Sequence, residues 1–188
     1  MKINCLKMCI LMAGTFVSAF SFAEKPAISD RAVFRVQGLA YFTSDLNHSI
    51  EALKAFSCVN AKAPFLIEAL GGAKWRLKDL PAFVTGEDIL AKRKEDIDLL
   101  LSLTKLKSAT RDQINAISPE RIRKELPANC LKNLSIVTVE QLLDLVRVEQ
   151  ILRERFGQEN PDRSRVRKEA LGQYMATLMK STSHEFFE

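Results

Sequence analysis

The chain is poor in the side chains that catalysis most often uses. It has two histidines, four cysteines, one tryptophan and two tyrosines in 188 residues. With His48 and His184 as its full supply of imidazole, a nucleophile–base pair has few places to form. No G-x-S-x-G elbow, P-loop or H-E-x-x-H stretch occurs, and no two cysteines stand as C-x-x-C. Each missing motif removes the usual sequence signal for one chemistry: acyl transfer, phosphate cradling, zinc proteolysis and dithiol exchange. Ser102 to Lys105 ("SLTK") matches S-x-x-K, but S-D-N and K-T-G are missing, so it reads as a chance match on a leucine-rich helix. The acids Glu95, Asp96 and Asp98 read as a solvated, mixed-charge helix face. The sequence therefore nominates no catalytic residue, no metal ligand set and no cofactor.

Long apolar runs are also scarce. The longest opens the chain: Lys2 and Lys7 precede "MCILMAGTFVSAF", and small residues follow at Ser21 and Ala23. That order predicts a secretory signal over residues 1–23 with cleavage before Glu24, and a single helical domain over residues 24–188. The run is shorter than the roughly 20 residues of a membrane span, so a retained anchor is the weaker reading. Periplasmic or secreted localisation follows as an expectation. Without residues 1–23 the formal charge falls from +5 to +3, too mild and too dispersed to suggest nucleic acid as a partner.

Two cysteines remain beyond the signal, Cys58 and Cys130. In an oxidising compartment an even pair reads most simply as one disulfide, with two buried thiols as the alternative.

What the chain has in quantity is helical periodicity. Ala32–Gln37 alternates with period two, Gly38 permits a tight turn, and "AYF" returns as a second short strand. Thr43 and Ser44 offer caps to a helix carrying Leu46, Ile50 and Leu53. A long helix is expected from Thr85, with Asp88 completing a capping box; shorter ones are expected near 111–116 and over 119–126. Thr138 with Gln141 reads as a second capping box, opening a stripe of Leu142, Leu145, Val146, Glu149, Leu152 and Phe156 that stops at Gly157. A last helix over 162–180 presents Leu171, Tyr174, Met175, Leu178 and Met179, and "STSHEFFE" follows as a tail with two exposed aromatics. The fold class is mainly α, with a short N-terminal hairpin.

The stretch "RAVFRVQGLAYFTSDLNHSIEAL" resembles the start of the N-terminal domain of SurA-type and PpiD-type periplasmic folding chaperones. Val33, Val36, Gln37, Gly38, Phe42, Ser44, Asp45 and Leu46 carry the resemblance. No motif of the parvulin isomerase domain common in that family stands in residues 24–188, so isomerase activity is not expected. The resemblance implies a helical cradle that binds unfolded or outer-membrane polypeptides without catalysis. Tyr174, Met175 and Met179 are the candidate polypeptide-binding residues, since methionine-rich surfaces adapt to varied clients. For each of them, closing the core is the plainer role. The rival function is a non-enzymatic envelope adaptor or structural protein with one dedicated partner. The basic run Arg163–Glu169 would then allow peripheral contact with an acidic membrane surface.

Overall fold

The alternating segment forms strand β1, Ala32–Val36, and returns as β2, Leu39–Phe42, through Gln37 and Gly38. Both turn residues are left-handed, with φ of 48° and 82°, a geometry whose twist matches that of the flanking strands. The structure, a computed structural model, describes residues 30–59, 65–71, 94–157 and 164–187. The expected signal segment, Trp75 and the expected helix start at Thr85 lie outside the described residues.

Helix α1, Thr43–Val59, begins as β2 ends. Its entry is fixed differently from the expected hydroxyl caps. Asp45 accepts the N–H of Phe42 at 2.9 Å, and Asp30 accepts the N–H and hydroxyl of Ser44. Thr43 is buried, and both its N–H and its hydroxyl donate to the carbonyl of Arg31. Leu46, Ile50, Leu53 and Phe56 then bury one face.

Among the described residues five helices follow before the longest one, the first four being α2, Phe65–Ala69; α3, Lys94–Ala109; α4, Arg111–Ala116; and α5, Pro119–Glu125. Helix α5 opens as the sequence predicts, with Ser118 accepting the N–H of Arg121 and proline in the first turn. A four-residue helix, α6, Ala128–Leu131, was not expected. It is too short for a periodic signal, and its one buried member is Cys130. Cys58, in the last turn of α1, is bonded to Cys130 with Cα atoms 5.7 Å apart. The disulfide reading therefore holds, and the paired-thiol alternative does not.

Helix α7, Ile136–Phe156, starts earlier than the Thr138–Gln141 box predicts. Ser135 is the cap, accepting the N–H of Thr138 at 3.1 Å, and Thr138 is buried inside the first turn. Helix α8, Ser164–Ser181, buries Leu171, Met175 and Leu178. Of the two tail aromatics, Phe186 is exposed as expected and Phe187 is half-buried. His184–Phe186 forms β3, which pairs antiparallel with β1 and completes a sheet of order β2-β1-β3. Three residues carry too little period to announce a strand, and their partner lies about 150 residues away in sequence.

The protein is thus mainly helical, with eight helices and one small antiparallel sheet among the described residues. One apolar cluster draws on β1, α1, α2, α3, α4, α7 and α8, with Phe34, Phe56, Leu66, Leu106 and Leu142 among its fully buried members. Helices α1 and α7 share the most extensive contact.

Candidate functional site

Helix α4 ends because Ser118-Pro119 cannot continue it, and its short length leaves a gap against α7. Ile114 is buried against the core, while Gln113, Ala116 and Ile117 face the gap. Across it stand Ile151, Glu154 and Arg155 of α7. The result is an open groove of about 560 Å³ with an aliphatic floor and a polar rim. Its volume is typical of ligand pockets, but its open mouth suits an extended segment better than an enclosed small molecule.

Arg155 links this groove to the last helix. Its guanidinium lies 4.5 Å from the ring centroid of Tyr174 and 5.6 Å from that of Phe156, and the two rings are themselves 5.6 Å apart. Of the three residues nominated on α8, Tyr174 thus adjoins the groove through Arg155. Met175 is buried with Leu171 and Leu178 and offers no surface. Met179 is half-buried, and its carbonyl accepts the Lys105 ammonium at 2.8 Å. The sequence treats these three as one patch because they share a helix; packing separates them.

His48 sits in a polar cluster where α1 crosses the start of α7. Thr138 donates its single hydroxyl proton to Glu51 at 2.9 Å. Its oxygen then has to accept from both Ser135, at 2.8 Å, and His48 Nδ1, at 3.0 Å. This count places a proton on Nδ1. The hydroxyls and the carboxylate all converge on that one ring nitrogen, so among the described residues no hydroxyl–imidazole–carboxylate relay runs through the ring. Ser49 donates to Gln141 beside it at 2.6 Å, and the whole group reads as a polar clasp between α1 and α7. His184 stands at the sheet edge, with its ring 5.6 Å from that of Phe186.

The S-x-x-K match dissolves as well. Ser102 donates to the carbonyl of Asp98, while Lys105 turns inward to Met179. Lys105 is fully buried, and desolvation pushes its ammonium pKa below the usual lysine range. Burial also raises the Tyr41 phenol, with nearby Arg111 opposing and Asp45 adding to the shift. The Ser118 hydroxyl beside Glu120 holds that carboxyl below its ordinary range.

Glu149, on the apolar stripe of α7, is a buried polar seat. It accepts the N–H of Leu66 at 2.8 Å and pairs with Arg153 at 2.9 Å. The basic run at the start of α8 has a structural role in part: Arg167 pairs with Glu68 at 3.2 Å and lies 4.9 Å from the centroid of Phe65. Among the described residues no group of three His, Cys, Asp or Glu side chains converges to hold a metal, and no helix is long and apolar enough to cross a membrane. No family model matches the chain, and neither the curated proteins nor the solved structures hold a significant match to it.

Proposed function

We propose that this is a chaperone-like, non-catalytic protein that binds unfolded or outer-membrane polypeptides in an exported, oxidising compartment, using the groove between α4 and α7. The observation that carries the reading is the groove itself: an aliphatic floor at Ile117 and Ile151, open to solvent, rimmed by Gln113, Glu154 and Arg155. An apolar floor takes side chains of many shapes, and rim groups can hydrogen-bond an extended backbone without reading its sequence. The Arg155–Tyr174–Phe156 stack extends the same surface with flat rings suited to apolar and aromatic client residues. The disulfide, the signal-like opening and the resemblance of residues 31–53 to SurA-type and PpiD-type chaperones support export and this class of client.

The test is suppression of aggregation. An unfolded outer-membrane β-barrel protein is diluted from denaturant with the oxidised chain at near-stoichiometric ratio. The expected result is suppression that falls several-fold in Ala116→Arg, which fills the groove from an exposed position. Absence of suppression with several unrelated clients, or full suppression by Ala116→Arg, would overturn the proposal.

A further inference from the structure

The hydrogen-bond register of the sheet leaves one edge open. Gln37 donates its N–H to the Ser183 carbonyl at 3.2 Å, and Phe187 donates to Val33 at 3.1 Å. With Arg35 opposite Glu185, residues 183, 185 and 187 therefore aim their backbone groups at β1. Antiparallel alternation then points the N–H and C=O of His184 and of Phe186 away from the sheet. No described residue receives these four groups, and all three β3 residues are exposed.

The opposite edge is not equivalent. In β2 the outward residues are Ala40 and Phe42, since Leu39 and Tyr41 face β1 in register with Val36 and Phe34. The Phe42 N–H is already taken by Asp45, and the chain turns into α1 at Thr43. That edge is blunted; the β3 edge is not.

The two faces of β3 differ in chemistry. Phe186 lies edge-on to Phe34, centroids 6.2 Å apart, and remains 46% exposed. On the other face Glu185 pairs with Arg35 at 3.4 Å and stays largely in solvent, beside a shallow recess of about 240 Å³ lined by Arg35, Gln37, Gly38, Ser183 and His184.

We propose that the outer edge of β3 is a docking site for an extended polypeptide segment, which adds to the sheet as a fourth strand. Backbone groups of the segment meet His184 and Phe186. Apolar residues of the segment cover the His184–Phe186 face, and an intervening lysine or arginine lies beside Glu185. A second copy of this chain fits poorly. The antiparallel self-pairing that satisfies all four outward groups of both copies sets Glu185 directly against Glu185, and like charges in that position are destabilising. The site is separate from the groove, and each stands or falls by its own variant.

The test uses a short peptide of alternating valine and lysine titrated into the full chain, read by amide shifts and hydrogen exchange. Binding is expected to slow exchange of the His184 and Phe186 amides. Phe186→Pro should weaken binding about tenfold, because proline removes an outward N–H while leaving the bonds of residues 183, 185 and 187 to β1 intact. Methylating the peptide nitrogens that face β3 should do the same with the protein unaltered, which keeps the test valid if the proline variant folds poorly. Ala116→Arg should leave this binding unchanged. Unaltered affinity in Phe186→Pro and with the methylated peptide would overturn the proposal. Loss of binding in Ala116→Arg, or a concentration-dependent dimer abolished by Phe186→Pro, would overturn it as well.

Discussion

Breaking the Cys58–Cys130 link tests the largest single constraint on the chain. The bond closes a loop with a sequence separation of 72 residues between the last turn of α1 and the four-residue α6. In the chain-entropy model, closing a loop of that length removes enough freedom from the unfolded state to stabilise the fold by about 4 kcal/mol at room temperature. For a chain of this size that corresponds to roughly 10 °C in melting temperature. The variant is Cys58→Ser with Cys130→Ala, because Cys58 is exposed while Cys130 is buried and should not be replaced by a hydroxyl. Urea unfolding followed by far-ultraviolet circular dichroism compares it with the oxidised chain and with the chain held in reductant. Both perturbed forms should lose about 4 kcal/mol. Their denaturant dependence should also steepen, since an uncrosslinked unfolded chain exposes more surface. A loss below about 1 kcal/mol in both would refute the reasoning, as it would show an unfolded state already ordered around that loop. Two free thiols titrated in the native oxidised chain would refute the bond itself.

Two buried polar residues give further expectations. Glu149→Ala strands the Leu66 N–H in the interior and should cost about 3 kcal/mol of unfolding free energy, whereas Glu149→Gln keeps an acceptor and should cost about a third of that; equal losses would show that Glu149 does not cap α2. Lys105 has its pKa lowered by burial, so between its folded value and the usual lysine range the unfolded chain binds more protons, and stability should rise with pH across that window. The stability of the native chain relative to Lys105→Met should therefore be higher at about pH 10 than near neutrality, and a flat or falling difference would contradict it.

Segments announced by local signals are legible in the sequence, the short helices Arg111–Ala116 and Pro119–Glu125 included, and those set by distant contacts are not. The stripe through Leu142, Leu145 and Leu152 announces α7, and Gly38 announces the hairpin turn, because each rests on local physics. The start of α7 was misread because Thr138 has the residue type of a cap; only packing against His48 and Glu51 shows that its hydroxyl is spent inside the protein, while Ser135 caps. The third strand was invisible because its pairing with β1 is entirely non-local. The groove was equally hidden: nothing in the sequence sets Ala116 and Arg155 apart, and they come to line one groove only through the packing of α4 beside α7. Tyr174 could be nominated from its helix face, but its neighbour Met175 could not be excluded, since both lie on the same apolar stripe and differ only in how far each is covered.

The distribution of polar groups along α7 explains why a groove can persist at its far end. At its start, Thr138 and Gln141 meet α1; at its middle, Glu149 meets α2; near its end, Arg155 meets Tyr174 of α8. Each contact has a fixed partner, so sliding α7 by a turn to fill the gap beside α4 would leave buried donors and acceptors unpaired at several points. An all-apolar α7 would be free to close that gap by collapse. Helix α4, in contrast, has six residues and one buried side chain, Ile114, with too few of its own bonds to set the spacing. The wall held by polar seats stays in place, and the short wall is the one that can move.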